Sequence, residues 1–333
     1  MAHRLHINED GQASMFYTGN KPWHGLGKKL DKPATAAEAI QAAKLDYEVV
    51  KQPLIAAGDG FAAPVPDCFA VVRRDLWGKK GCPIFGIVSG SYTVLQNREA
   101  FEFFDPITGK GAAIYHTAGA LGDGERIWML ARLPTDIRVV GDDIAEKYLL
   151  LSNSHDGTSS LQIKFTPIRV VCWNTLTQAL SQGPTVRVAH TKDIHERLKN
   201  AEEALGIINK RFGLIEQTFQ AMVGVKMNDE RLKEYLGLVF PDPSNLADGK
   251  ALQRTRVNRS GAAHLFEFGR GNEAPEVAGT LWAGYNGVTE YVDYRKTNQS
   301  HSQRLHSIWF GAGCHVKERA YAVAQEKIEA WKN

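Results

Sequence analysis

The stretch SNSHDGTSSLQIKF, residues 152–165, places His155 and Asp156 side by side among hydroxyl-bearing residues. Catalysis here would require a nucleophile with a base, or three ligands that converge on a metal ion. The flanking runs are strand-like, and Asp156-Gly157 between them is a strong signal for a tight turn. The sequence therefore favours a hairpin turn, with a catalytic corner as the alternative.

Further acidic residues occur in YNGVTEYVD, residues 285–293, where the spacing predicts a helix. Asn286, Glu290 and Asp293 share one face of that helix. Two carboxylates on one face could hold a divalent cation, but solvated or Arg-paired acids are the favoured interpretation. Whether Glu290 and Asp293 join His155 and Asp156 in a metal site is left open by the sequence.

The strongest basic segment is GKALQRTRVNRSGAAHLFEFGRGN, residues 249–272, in which five cations face one acid, Glu267. The cations are Lys250, Arg254, Arg256, Arg259 and Arg270. The Gly, Ser and Asn content predicts a mobile loop, and Arg side chains in such a loop can bind phosphates and become ordered. The alternative is a solvated loop with scattered charge.

A second basic set surrounds the polar run TNQSHSQ, which could follow a sugar-phosphate backbone. Its members are Arg295, Lys296, His301, Arg304 and His306. Lys164 and Arg169 complete the predicted nucleic-acid-binding residues, and Arg169 must be paired or point out of the sheet because its neighbours are apolar. Trp173 could stack on a base, with a core position as the alternative.

The elements that must position these residues change along the chain. Between Leu45 and Leu151, short β-rich runs are separated by Gly, Pro and Asp, which predicts a sheet with hairpins. Thr35 precedes Glu38 at the spacing of a capping box, so a short helix should begin there. Asn97 is predicted to cap a second helix, NREAFEFF.

A heptad seam indicates one long helix beginning near Lys192. The seam residues are Ile194, Leu198, Ala201, Leu205, Ile208, Phe212, Ile215, Phe219 and Met222. We expect it to pack on the C-terminal helices, predicted in TLWAGYNGVTEYVDYRK and HVKERAYAVAQEKIEAW. The alternative is a partner-binding face centred on Ile208 and Phe212.

Composition is typical of a globular chain with a sizeable core: 333 residues, 43% hydrophobic and 23% charged. The formal net charge is +3, but residues 161–333 carry 23 Lys and Arg against 18 Asp and Glu, so the basic character is C-terminal. We find no apolar run of the roughly 18 residues needed to span a bilayer and no signal peptide, and we expect a cytoplasmic protein. The dispersed Cys68, Cys82, Cys172 and Cys314 are interpreted as buried reduced thiols, and no cofactor or metal is expected.

These patterns predict an α+β fold. Residues 1–190 should form a β-rich region, an antiparallel sheet with hairpins and short helices. Residues 191–333 should form a helical region with the long heptad helix, which packs on the sheet within one continuous domain.

Four motifs together resemble the phage/plasmid-like protein family, domain-of-unknown-function family 932. They are PWHGLGKKLD, SHDGTSSL, TPIRVVCWNTL and YNGVTEYVD, and their order spans nearly the whole chain. The resemblance implies a product of a phage, prophage or plasmid, without an established reaction. Gly287 and Tyr294 stand where the family pattern leads us to expect Ala and His, which argues against a family-wide ligand at Tyr294.

Members of this family look like neighbours of phage recombination genes, and phage strand-annealing proteins share a sheet followed by a long helix, an analogy at the level of fold. The leading hypothesis is therefore a non-enzymatic, cytoplasmic homo-oligomer that binds single-stranded DNA in recombination or strand annealing. One alternative is a metal-dependent enzyme acting on nucleic acid or a nucleotide. Another is an interaction module that inhibits a host factor.

Overall fold

The computed structural model describes residues 5–18, 26–32, 34–102, 114–133, 135–169, 174–175, 186–194, 196, 213–296, 307–308 and 311–331. At 114, 164–166, 168–169, 174–175 and 186 the description covers the backbone alone. The chain forms two compact units. The first comprises Met1–Pro134, Leu149–Lys164 and Thr185–Ile207, and the second comprises Thr135–Tyr148, Phe165–Pro184 and Ile208–Asn333.

Strands dominate the first unit. In chain order the described strands of both units are β1 Met15–Thr18, β2 Lys28–Leu30, β3 Val49–Gly58, β4 Phe61–Arg73, β5 Ile84–Val88, β6 Ile114–Leu121, β7 Arg126–Arg132, β8 Ile137–Val140, β9 Asp143–Ser154, β10 Leu161–Arg169, β11 Asn174–Thr175 and β12 Val186–Val188. Of these, β8, β11, the first half of β9 and the last part of β10 belong to the second unit. The larger sheet of this unit has the order β10-β9-β7-β6-β1-β2, with β12 also paired to β10, and the smaller sheet has the order β3-β4-β5. The ladders β1–β6, β6–β7, β3–β4 and β4–β5 are antiparallel, whereas β1 and β2 run parallel.

The core of the larger sheet lies at β7, whose residues 127–131 are all buried. Two short helices belong to this unit, α1 Ala36–Ala42 and α2 Asn97–Glu102, and they contact each other. The capping box before α1 is confirmed, since the Thr35 hydroxyl accepts from the Glu38 amide and the Glu38 carboxylate accepts from the Thr35 amide at 2.9 Å.

The second unit is mainly helical. Its described helices are α3 (213–224), α4 Asp229–Val239, α5 Gly249–Phe268, α6 Leu281–Glu290 and α7 Ala312–Trp331. A π-helical turn, Tyr291–Arg295, follows α6 directly. The α+β class is therefore confirmed, as are both predicted C-terminal helices.

The end of the heptad seam lies in α3, and its apolar residues Ile215, Phe219 and Met222 are buried. The ring of Phe219 lies 4.6 Å from that of Trp282 in α6 and 6.2 Å from that of Tyr321 in α7. For this part of the seam, the predicted packing on the C-terminal helices is confirmed. Seam positions 198–212, which include Ile208 and Phe212, lie outside the described residues.

The predicted loop over residues 249–272 is wrong, because 249–268 form the 20-residue helix α5. Asp248 begins it by accepting from the Ala251 amide at 3.0 Å. The small and polar residues that suggested a loop serve packing instead. A Cβ on Gly261 would lie 2.3 Å from the Tyr291 ring, and the Tyr291 hydroxyl donates to Asn258 at 2.9 Å.

The expectations for the cysteines and for membrane-spanning segments can be compared with the structure. Cys68, Cys82 and Cys314 are free thiols, as predicted, but Cys68 and Cys82 are half-buried rather than buried, and Cys172 lies outside the described residues. Among the described helices, none has the length and apolar character of a membrane span.

Gly287 provides a test of the packing between α5 and α6. A Cβ there would lie 2.9 Å from the Ala262 carbonyl oxygen and the Phe266 amide nitrogen, which are backbone atoms and cannot rotate away. We expect Gly287→Ala to destabilise the protein by about 1–3 kcal/mol, although Ala is the better helix former. The readout is the urea unfolding midpoint.

Gly237 is the matched control, since it is inside α4 and a Cβ there would meet no atom within 4 Å. Gly237→Ala should raise the urea midpoint, because it should increase the free energy of unfolding by about 0.5–1 kcal/mol. Stabilisation by both substitutions would contradict the close approach of the two helices.

Candidate functional site

The His155–Asp156 corner lies between β9 and β10, which are neighbours in the sheet, and Gly157 has the left-handed φ of 75°. The predicted hairpin turn is confirmed. The Asp156 carboxylate accepts from the Thr158 amide at 2.8 Å and from the hydroxyls of Ser154 and Thr158. Burial would raise the pKa of Asp156, but these hydrogen bonds and the Arg126 charge outweigh it and hold the pKa below its usual value.

The His155 side chain is fully buried beneath this turn. Its Nε2 lies 2.8 Å from Oδ1 of Asn97, and because an amide oxygen can only accept, Nε2 carries the proton. The Asn97 amide nitrogen in turn donates to the Leu45 carbonyl oxygen at 2.8 Å. Asn97 was predicted as a helix cap, but it is the first residue of α2 and its side chain holds His155.

A second buried histidine, His190, belongs to the same unit, and sequence reasoning missed it. Its Nδ1 lies 3.1 Å from the Thr93 carbonyl oxygen, and its ring stacks on Tyr92 at 4.8 Å. Burial lowers the pKa of both histidines, and with the charge of His190 it brings the pKa of His155 to about 3. Both rings are therefore neutral at neutral pH.

The acids of α6 and of the turn after it are buried in the second unit rather than solvated. Lys317 Nζ donates to Asp293 Oδ1 at 2.8 Å, and the two side chains are 0% and 3% exposed. The Glu290 carboxylate accepts from the Arg270 amide at 3.0 Å. A lysine thus pairs with Asp293 and a backbone amide donates to Glu290.

The proposed four-residue metal site finds no support in this geometry. Within the second unit, Lys317 binds Asp293. Over the described ranges, no three His, Cys, Asp or Glu side chains are arranged to hold a metal ion.

The three arginines of α5 point in different directions. Arg259 is paired with Asp242 at 3.0 Å and donates to the Phe240 carbonyl oxygen at 2.9 Å. Arg254 shares the side of the helix with Asn258 and Gly261, which contact Tyr291. Arg256 is exposed and lies about 200° around the helix from Arg254, at roughly 100° per residue.

Three cations from three elements lie close together at one end of this unit. Burial lowers the pKa of Lys296, and the nearby charges of Arg319 and Arg254 lower it further. Arg319 donates to the Val239 carbonyl oxygen at 2.7 Å, next to the Phe240 carbonyl that binds Arg259. The sequence did not point to Arg319, because it lies in a helix far along the chain from the other three.

We call Arg254, Arg259, Lys296 and Arg319 the basic cluster. Arg259 and Arg319 bind carbonyl oxygens at the C-terminal end of α4, where the last carbonyls carry partial negative charge and favour cations, and Lys296 lies near the charges of Arg319 and Arg254. Asp242 supplies an ion pair with Arg259. The arrangement places four cations beside one another at the surface of the second unit, where arginine and lysine can bind an anion.

The other predicted binding residues are spread along the second unit and β10. Arg295 is exposed at the end of the π-helical turn, beside Lys296, and Arg270 is exposed two residues beyond α5. Lys164 and Arg169 lie on β10, where their side chains are outside the description. Trp173 and Arg304 also lie outside the described residues.

An aromatic pair on α5 adds to the surface near these cations. The Phe268 side chain is 62% exposed, and its ring lies 5.0 Å from that of exposed His264. Arg254, His264 and Phe268 fall within about 80° of one another around the helix, and they span about 21 Å along it. A basic end and an aromatic end therefore lie on one side of α5.

The fold and site together define an α+β chain whose helical unit carries a surface basic cluster. Residues 84–309 match the family model described as "Domain of unknown function (DUF932)", and the chain belongs to that family. No solved structure matches it.

Two relatives are similar over part of the chain. The UPF0380 protein YafZ of Escherichia coli (strain K12) is 37% identical over 131 residues, which is 39% of this chain and 41% of the relative. The UPF0380 protein YfjQ of the same strain is 38% identical over 82 residues, which is 24% of this chain and 29% of the relative. The matches thus span less than half the length of either relative.

The neutral state of buried His155 has a consequence for pH dependence. Its folded-state pKa of about 3 lies below its unfolded value, so the unfolded chain takes up the proton first as pH falls. His155 therefore costs stability from about pH 6.5 downward, by up to about 1.4 kcal/mol per pH unit. His155→Gln keeps a donor for Asn97 but cannot titrate, and we expect a shallower dependence of the melting temperature on pH between 7 and 5.

His315→Gln serves as the control, because His315 is exposed in α7 and its replacement should leave the slope close to that of the wild type. Equal slopes for His155→Gln and the wild type would mean that His155 is not held neutral in the folded state.

Proposed function

We propose that this protein is a mobile-element factor that binds single-stranded DNA without catalysing a reaction, and that it acts in the cytoplasm as a homo-oligomer in recombination or strand annealing. The observation that carries the proposal is the basic cluster. Arg254 and Lys296 belonged to separate predicted basic segments, and the fold brings their charges close enough to interact.

The electrostatics of the cluster favour an anionic ligand. Burial first, and then the charges of Arg319 and Arg254, lower the pKa of Lys296 and so raise the free energy of its charged form. A phosphate group between these side chains would reverse that effect and could accept several charge-assisted hydrogen bonds. A polyanion is therefore a better ligand than a neutral molecule.

The side of α5 that carries Arg254 supports a single strand over a duplex. Phosphates would contact the basic cluster at one end and Arg270 at the other, while bases would stack on Phe268 and His264. The bases of a duplex are already stacked on each other, so exposed aromatic rings would make fewer stacking contacts with a duplex than with a single strand. Phosphate contacts and stacking are both largely indifferent to base sequence.

The basic cluster predicts a specific loss of binding. The double variant Arg254→Ala/Lys296→Met should weaken binding to a labelled single-stranded oligonucleotide, measured by fluorescence anisotropy at several salt concentrations. Each single-strand phosphate contact contributes about 0.7 to the slope of log K against log salt, so the slope should fall by about 1.4. Arg254 and Lys296 are replaced in preference to Arg259 and Arg319, because Arg259 and Arg319 also bind carbonyl oxygens at the end of α4.

Arg256→Ala is the matched control for Arg254→Ala alone, since each removes one charge from the same helix, on different sides. It should change the affinity and slope far less. Equal losses for the two variants would show that the cluster is not the site, and the absence of any binding at low salt would refute the proposal.

Stacking predicts a second, separable effect. Phe268→Ala removes an exposed ring without removing charge, and we expect it to cost about 1–3 kcal/mol in single-strand binding. Duplex binding and the salt slope should remain unchanged. If Phe268→Ala weakened single-strand and duplex binding alike, the ring would not be contacting bases.

A further inference from the structure

The smaller sheet of the first unit carries an exposed apolar extension. Residues 53–66, PLIAAGDGFAAPVP, form the outer part of the β3–β4 hairpin, which we call the arm. Strand β5 pairs with β4 from Phe69 to Val72, so the arm has no third strand from β5. Asp59 and Gly60 both have positive φ at its tip, as a tight two-residue turn requires.

The arm is unusual for a surface segment. Its sole ionisable side chain is Asp59 at the tip, and Phe61 and Ile55 are 72% and 62% exposed. The paired register puts Ile55 and Pro64 on one face and Phe61 and Gly58 on the other. A two-stranded ribbon is marginally stable in water, and natural sheets protect such edges with charge, so an uncovered apolar arm indicates a surface that becomes covered.

A complementary surface lies on the same sheet. The described part of the first unit has six large apolar side chains that are exposed. Ile7 lies elsewhere, and the other five are on the arm, on β5 or in the connection between β4 and β5: Ile55, Phe61, Trp77, Ile84 and Ile87. One sheet therefore presents both a protruding and a receiving apolar surface.

We propose that the arm docks on β5 of a second copy of this chain, and that the second copy returns its own arm in the same way. Pro64 and Pro66 lack amide hydrogens, which disfavours extension of the sheet along the β4 side of the arm and favours packing through its faces. The arm has one ionisable residue and β5 has none, as in homodimer interfaces, where a charged partner would lose hydration without compensation.

The surface area that would be buried favours reciprocal docking over a dimer held only by contact between the two arms. Six residues at about 3.4 Å each, in two strands about 5 Å apart, make a ribbon with faces of roughly 200 Å². Two arms in contact would bury only about 400 Å² in total, whereas specific interfaces bury at least about 1,200 Å². If each arm also packs its other face on the partner's β5 and on the adjoining connection that carries Trp77, the total rises to about 1,200 Å², the size of a weak and concentration-dependent dimer.

The inference does not depend on nucleic-acid binding and is tested without DNA. Sedimentation velocity of the full chain from about 1 to about 100 µM should show a monomer–dimer equilibrium, the range expected for an interface of this size. Phe61→Asp and Ile55→Asp should shift the dissociation constant at least about tenfold upward, because each places a charge in the apolar contact. Ile7→Asp, the control on the same unit, should leave the equilibrium unchanged.

A photoreactive phenylalanine analogue at position 61 identifies the receiving surface. In a mixture of isotope-labelled and unlabelled chains, cross-links between the two kinds of chain at Ile84–Val88 would support reciprocal docking. A monomer throughout the concentration range, or a dimer insensitive to Phe61→Asp, would overturn it. Cross-links elsewhere on the partner, or binding of the arm to neutral lipid vesicles in place of dimerisation, would overturn it as well.

Discussion

The second unit depends on a helix that is buried on every side. All ten residues of α6 are buried, so its polar groups depend on partners within the protein, although the Asn286 side-chain oxygen accepts no hydrogen bond from the described residues. Trp282 donates from its indole nitrogen to Asp143 at 2.8 Å, and Asn286 donates to the Trp282 carbonyl oxygen at 2.9 Å. One of these partners lies on the helix itself and the other on β9, so the hydrogen bond from Trp282 to Asp143 connects α6 to β9.

The burial of α6 also affects the position of charged residues at the surface. The π-helical turn continues α6, and the ion pair between Asp293 and Lys317 ties it to α7. Removing one member of such a buried pair leaves an uncompensated charge, which typically costs about 3–5 kcal/mol. Lys296 follows the turn and Arg319 lies two residues after Lys317. The buried helix and the buried ion pair thus help to determine where two cations of the basic cluster lie.

The sequence predicted the parts of this architecture that are encoded locally. The Thr35–Glu38 capping box, the Asp-Gly turn and the two C-terminal helices depend on neighbouring residues, and all four are confirmed. The α5 segment was mistaken for a loop because Gly261 and Asn258 look like loop residues until the Tyr291 ring is placed against them.

The candidate site was predictable only in part, because its key relationships are non-local. The sequence named Arg254, Arg259 and Lys296 but grouped the two arginines with Arg256, which lies on a different side of α5 once the helix forms. It could not foresee Arg319, whose role arises from the approach of α7 to the end of α4. The buried state of His155 was equally hidden, since its partner Asn97 lies 58 residues away along the chain.

Burial is accompanied by opposite charge states in two polar regions, the histidines of the first unit and the charged side chains of the second. In the first unit it removes charge, because the pKa values of His155 and His190 fall and both rings remain neutral, with hydrogen bonds to Asn97 and to the Thr93 carbonyl. In the second unit it retains charge, deeply where Lys317 meets Asp293 and near the surface in the basic cluster. Neutral, enclosed groups suit a rigid corner of a fold. Like charges held together at an accessible surface are stabilised further by an anion from solution, and this difference is the physical reason that the proposed binding site is the basic cluster of the second unit.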